Sequence, residues 1–203
     1  MGDTKERILR TALALFAENG YAAVSVSDIA GALGITKGAL YRHFESKRDI
    51  FDSIVSRMAQ RDAAQADADG MPAGTPADTP EAYRAATVDN MVAFARSMFR
   101  YWTQDPFASA FRRMLTLEQF KSPEMGALYQ QYLAAGPVGY MEDLFSDLGL
   151  PRAHDQAVAF YAPMFLLYSV YDGAADKSAA LSTLDALMED AREHLNRQLQ
   201  DVR

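Results

Sequence analysis

The chain has 203 residues, of which 49% are hydrophobic, 11% aromatic and 23% charged, with a formal net charge of −7 and no cysteine. This is globular composition with enough chain for a core, and it excludes disordered, collagenous and disulfide-scaffold proteins, thiolate zinc sites, iron–sulfur clusters and cysteine nucleophiles. Residues 1–50 hold seven Lys and Arg against six acids, and the remainder thirteen against twenty-one, so a near-neutral head with local cations precedes an acidic body.

In chain order, the spacing of Ile8, Ala12, Leu15 and Phe16 predicts a helix over Asp3 to Asn19, started by Asp3 and Glu6 and stopped by Asn19-Gly20. Ser25-x-x-Asp28 then caps a short helix carrying Ile29, Ala30 and Leu33 and halted by Gly34. Thr36 caps a second short helix through Phe44. Ser46-x-x-Asp49 starts a longer one with Ile50, Ile54, Val55 and Met58, running to about Asp67. From Asp69 to Pro80, Pro72, Pro76 and Pro80 exclude regular helix and predict a loop.

The body beyond it reads as helices over Glu81 to Thr103, Phe107 to Phe120, Pro123 to Leu148 with a candidate break at Gly136-Pro137, Ala153 to Tyr171, and Ser178 to Leu199. No alternating run is long enough for a strand. The fold class is therefore all-α: a helix-turn-helix domain over 1–46 and a larger helical domain over 47–203, with a linker loop at 69–80. No stretch approaches the apolar run a membrane span needs, the N-terminal residues lack the apolar core of a signal peptide, and Glu6 breaks the myristoylation pattern, so a cytoplasmic protein is expected.

Two short helices joined by Gly34-Ile35, with Ile29, Leu33, Leu40 and Phe44 inward, form a helix-turn-helix, whose second helix commonly enters a DNA major groove. At 100° per residue, burying Leu40 and Phe44 turns Gly38, Ala39, Tyr41 and Arg42 outward, flanked by Lys37 and His43. Gly38 weakens a helix by about 1 kcal/mol relative to alanine, and close approach of backbone to DNA would explain it. Ala39 offers a methyl for thymine, Arg42 and Lys37 reach guanine or phosphate, and Tyr41 and Lys47 suit phosphates. Helix-turn-helix units also occur as plain packing motifs, and His43 alone reads as a surface histidine.

The run Ser25-Val-Ser-Asp-Ile-Ala-Gly-Ala-Leu-Gly-Ile-Thr-Lys-Gly-Ala-Leu-Tyr-Arg-His-Phe-Glu-Ser-Lys-Arg-Asp-Ile-Phe51, preceded by Leu15-Phe16-Ala17-Glu18-Asn19-Gly20-Tyr21, resembles the DNA-binding domain of TetR/AcrR-family transcriptional regulators over about residues 4–55. The resemblance implies an all-helical homodimer, typically of nine helices per subunit, that represses promoters until a small-molecule inducer binds the C-terminal domain. It also implies operator contacts from Ser25, Ser27, Thr36, Lys37, Gly38, Ala39, Tyr41, Arg42, His43 and Lys47.

Most aromatic and methionine residues fall within 81–171, where such side chains build cores but can also wall a pocket. Met98, Trp102, Phe111, Met114, Phe120, Tyr132, Tyr140 and Tyr168, on the middle helices, are the expected ligand-lining set. Arg100, Arg112, Glu118 and Glu142 could pair with a charged ligand. Residues 157–171 are apolar on nearly every face, kinked by Pro163, and need a second partner; Leu181, Leu184, Leu187, Met188, Ala191, Leu195 and Leu199 form a coiled-coil-like stripe. Together they predict a four-helix dimer interface.

An enzyme is disfavoured. His43, His154 and His194 are too scattered for a metal site, and nucleotide-binding glycine loops, the Gly-x-Ser-x-Gly elbow and His-Glu-x-x-His are lacking, so no catalytic residue, metal or cofactor is expected. The remaining alternative is a helical small-molecule-binding or scaffold protein without DNA binding.

Overall fold

The computed structural model describes residues 2–201, all helix and connecting turns, with no strand among them. Eleven helices follow in order among these residues: α1 (Gly2–Asn19), α2 (Val26–Ala32), α3 (Lys37–Tyr41), α4 (Lys47–Ala68), α5 (Pro80–Ala85), α6 (Val88–Gln104), α7 (Pro106–Glu118), α8 (Pro123–Leu133), α9 (Ala135–Asp147), α10 (Ala153–Gly173) and α11 (Lys177–Asp201). The side chain of Asp3, expected to help start α1, lies outside the described residues.

Two more helices form than expected because two long segments break. Glu81 to Thr103 divides at Ala86–Thr87, where Thr87 and Asn90 cap each other: the Thr87 N–H donates to Asn90 Oδ1 at 3.2 Å and the Asn90 N–H to Thr87 Oγ1 at 3.2 Å. Pro123 to Leu148 divides at Ala134, whose backbone at φ −136° and ψ −94° is not helical. The break precedes Gly136-Pro137, and the reason is proline's place in the first turn of α9, where its missing N–H costs no bond. The second short helix ends at Tyr41 rather than Phe44, and α10 continues through Pro163 as one helix.

The helices fall into two compact units, one of residues 1–62 and 105–129, the other of 63–104 and 130–203. The first sixteen residues of α4 place Ile50, Phe51, Ile54 and Met58 in the first core, and α7, remote in sequence, packs along α1. That core joins Ile8, Leu13 and Phe16 of α1 to Ile29, Leu40 and the α7 residues Phe111, Met114 and Leu115. In the second unit, α10 packs against α6, α9 and α11, and α6 also packs on α11.

Asp62, near the end of the first unit, carries a carboxylate oxygen that is buried with no hydrogen-bond partner. Burial pushes its pKa up to about 6. A carboxyl whose folded pKa is raised binds more protons folded than unfolded between the two values. Its contribution to stability therefore falls as pH rises from about 4 to about 6. Asp62→Asn is expected to flatten that slope and to raise stability at pH 7 by about 1–3 kcal/mol, measured by urea unfolding across pH.

Candidate nucleic-acid interface

Local chemistry fixes the helix-turn-helix. Ser25 Oγ accepts from the Asp28 N–H at 3.2 Å while Asp28 Oδ2 accepts from the Ser25 N–H at 2.8 Å, closing the box that starts α2. Gly34 ends the element at φ +66°, a conformation that suits glycine, and the Ile35 N–H returns to the Ala30 carbonyl at 3.0 Å. Thr36 Oγ1 then accepts from the Ala39 N–H at 3.1 Å and starts α3. The Ser25 hydrogen bonds hold the Asp28 carboxyl below the usual carboxylate range. A depressed folded pKa means that this stabilisation is complete above the unfolded value and is lost as pH falls through the folded one. Thermal melts are expected to show the acid side of the stability profile flattened by Asp28→Asn.

Burial divides α3 and its flanks into two faces. Leu40 and Phe44 lie inside, at 0% and 4% exposure. Ser25, Ser27, Thr36, Lys37, Gly38, Tyr41 and Arg42 are exposed, and Ala39, His43 and Lys47 half-buried. The exposed face carries the Lys37 ammonium 5.8 Å from the Tyr41 ring centre, an i, i+4 cation–aromatic pair. Gly38 is not crowded by the fold: a Cβ built on it would meet nothing nearer than Thr36 Oγ1 at 3.9 Å.

Lys47, expected to hold phosphate, turns its ammonium toward the protein's own backbone. Its ammonium donates to the carbonyls of Tyr21, Ala22 and Val24 at 2.9, 3.4 and 2.9 Å and sits 4.4 Å over the Tyr21 ring. A lysine has three N–H donors, so all are committed to the turn between α1 and α2. Sequence reasoning missed both this and Glu118, which is 5% exposed and whose Oε1 accepts the Tyr21 N–H at 3.2 Å across 97 residues of chain. The only local signal was Gly20-Tyr21, whose glycine adopts φ +82°.

The expected ligand-lining residues fall in both units. Phe120 is 89% exposed at the end of α7, so it walls no interior space; the turn that follows leaves its ring without a covering element. Phe111 and Met114 are fully buried in the first unit. In the second unit, Trp102 meets Tyr132 edge-on at 6.2 Å and Tyr168 stacks on Phe99 at 5.1 Å, with Met98 half-buried. Tyr140 spends its hydroxyl on the Pro72 carbonyl at 2.9 Å, and burial raises its pKa. Of the charged candidates, Arg100 pairs with Asp185 at 3.3 Å and Glu142 with His154 at 2.8 Å, and Arg112 is buried.

A capped helix pair with a buried Leu40–Phe44 edge and an exposed, cation-bearing opposite face has the geometry of a helix-turn-helix. Residues 8–54 match the family model of bacterial regulatory proteins, tetR family. A helix-turn-helix-type transcriptional regulator of Bacillus subtilis, YerO, is 51% identical over 50 residues, 25% of this chain and 17% of that protein. The match spans about a quarter or less of the length of this and the other curated relatives it resembles. Solved structures extend the likeness in fold: a transcriptional regulator from Aquifex aeolicus VF5 superposes with a TM-score of 0.63 at 20% identity, covering 95% of this chain and 98% of that one. A SmeT–triclosan complex does so with a TM-score of 0.64 at 20% identity over 95% and 90%. Residues 8–54 thus resemble the N-terminal segment of the tetR family of bacterial regulatory proteins, and the whole chain shares its fold with solved regulators of the TetR/AcrR family.

Proposed function

We propose that the chain is a ligand-responsive transcriptional repressor of the cytoplasm that binds a palindromic operator as a homodimer and is released by a small-molecule inducer. The observation that carries the reading is the exposed face of α3, where Lys37, Gly38, Tyr41 and Arg42 stand clear of the core on a rigidly capped unit. On this reading Arg42 reads base edges, Tyr41 and Lys37 hold phosphate, and Ser25, Ser27 and Thr36 add contacts at the helix starts. Ala39 and His43, half-buried, border the groove. Lys47 acts from behind by fixing the turn.

Dimerisation is supported by α10, which leaves Val158, Phe165, Leu166 and Val170 exposed at 43%, 44%, 65% and 46%, and by Leu187 of α11 at 37%. Contiguous apolar residues of this size on neighbouring helices call for a partner surface, and a second copy supplies a self-complementary one. Two recognition helices then read successive major grooves if they stand about 34–36 Å apart. Among the described residues no helix is long and apolar enough to cross a membrane.

Inducer binding is supported by the likeness to a regulator solved with triclosan. We assign the ligand-facing side chains to Met98, Trp102, Tyr132 and Tyr168 of the second unit, without Phe120. A ligand that prefers a pose of the dimer unsuited to the operator lowers DNA affinity by the factor by which DNA lowers its own.

The test is a fluorescence anisotropy titration of duplexes from upstream of the protein's own gene, over a salt series. Affinity is expected to fall steeply with salt, as phosphate contacts require. Arg42→Ala is expected to relax base preference, with about ten-fold lower discrimination between operator and scrambled duplex. Tyr41→Phe is expected to weaken all duplexes alike, by about three- to ten-fold. Salt-insensitive or absent binding would leave a helical ligand-binding or scaffold protein instead.

A further inference from the structure

The segment from Tyr21 to Val24 has no regular structure, yet it leads directly into the Ser25 cap of α2 and so sets where α2 and α3 stand. Its polar groups are satisfied by two oppositely charged side chains from elsewhere. On one side the Tyr21 N–H donates to Glu118 Oε1, at the C-terminal end of α7, at 3.2 Å. On the other, the Tyr21 carbonyl accepts from Lys47, at the N-terminal end of α4, at 2.9 Å. The Tyr21 ring is wedged between Phe16 and Phe51, each at 5.1 Å between ring centres.

The far ends of the same two helices are also tied. Arg61 of α4 meets the carboxylate of Asp105, the N-cap of α7, at 2.6 Å, and its guanidinium lies 5.4 Å from the Phe107 ring centre. From Lys47 to Arg61 along α4 is about 21 Å, and from Asp105 to Glu118 along α7 about 20 Å, at about 1.5 Å per residue. Residues 47–61 of α4 and 105–118 at α7 thus span matched distances and are tied at both ends, with the head's connecting turn gripped at one of them. Glu118 is 5% exposed, and a Cβ at Gly20 would lie 2.8 Å from its Oε1, so the carboxylate lies close against the turn.

We propose that Glu118 is a positioning residue for the recognition unit: through the Tyr21 amide it fixes the segment from which α2 and α3 hang, so α7 sets the pose of α3 without touching it. The function it serves rests on the operator-binding reading above; the mechanical claim does not. A hydrogen bond to a buried charged acceptor, once removed, leaves the Tyr21 N–H without a partner.

The test compares the full chain with Glu118→Met, which keeps volume and loses the acceptor, and Glu118→Gln, which keeps an acceptor oxygen. Amide hydrogen exchange is measured without DNA, and affinity for a duplex from the upstream region of its own gene is measured at fixed salt. Both are run well below the unfolding temperature. Glu118→Met is expected to speed exchange at Tyr21 and through residues 22–36 by about ten-fold or more, and to lower duplex affinity by about ten-fold, with the α8 to α11 amides unmoved. Glu118→Gln is expected to restore both to within about three-fold. If Glu118→Met does not fold, Lys47→Met loosens the same segment from the opposite side and gives the same exchange signature. Unchanged exchange at residues 21–36 in Glu118→Met overturns the proposal. So does faster exchange with duplex affinity retained. If the wild type binds no duplex, the exchange arm still decides the mechanical claim, and operator binding alone falls.

Discussion

Leu40→Ala is expected to abolish duplex binding by melting the head rather than by removing a contact. Leu40 is 0% exposed and is the buried residue of a helix only five residues long, α3. So short a helix has little stability of its own and packs on α2 with Leu40 as its one buried side chain. Replacing it removes about 2–5 kcal/mol of transfer and cavity energy. That is a large share of the roughly 5–15 kcal/mol a domain commonly has. Thermal unfolding is expected to begin at markedly lower temperature, with fast exchange spreading through residues 26–44 and the second unit's amides still protected. Arg42→Ala, on the exposed side of the same helix, is expected to lose base preference at nearly unchanged stability. Equal stability losses from both would mean that α3 does not have the two faces described.

Gly38→Ala is expected to move stability and affinity in opposite directions. The position is helical, without the positive φ that would demand glycine, and the nearest atom to an added Cβ is Thr36 Oγ1 at 3.9 Å. Nothing inside the protein needs the side chain to be absent, so alanine is expected to stabilise the head by up to about 1 kcal/mol through lower chain entropy when unfolded. If the α3 backbone approaches a duplex closely at this point, the added methyl stands in the contact. Affinity is then expected to fall by about ten-fold or more. Calorimetric melts and an anisotropy titration on the same preparation check both signs. A rise in affinity alongside the rise in stability would remove Gly38 from the interface.

Much of the head was legible in the sequence because its determinants are local. Ser25-x-x-Asp28, Gly34 and Thr36 each act within four residues, and each forms the bond its type predicts. The Thr87-x-x-Asn90 cap was equally local, but the apolar spacing on either side of it reads as one continuous helix. Lys47 shows the limit of composition. A lysine near a groove-reading helix suggests phosphate, and only the folded path of residues 21–24 reveals three carbonyls converging on it. Glu118 lies 97 residues from its partner, and no periodicity encodes that pairing. Phe120 enters the expected lining set because the sequence reads it as the last residue of a middle helix; the helix stops two residues earlier, at Glu118, and the ring falls on the surface. Apolar side chains suit a core, a partner surface or a pocket equally well by composition, which is why the aromatic inventory of residues 81–171 could not separate these roles.

The most direct test of the account is a residue-resolved NMR titration of the labelled full chain with a duplex from its own upstream region at low ionic strength. The account predicts amide shift changes concentrated at Ser25, Ser27 and from Thr36 to His43, disappearing as salt is raised. Shifts confined to the second unit, or none anywhere along the chain, would contradict it.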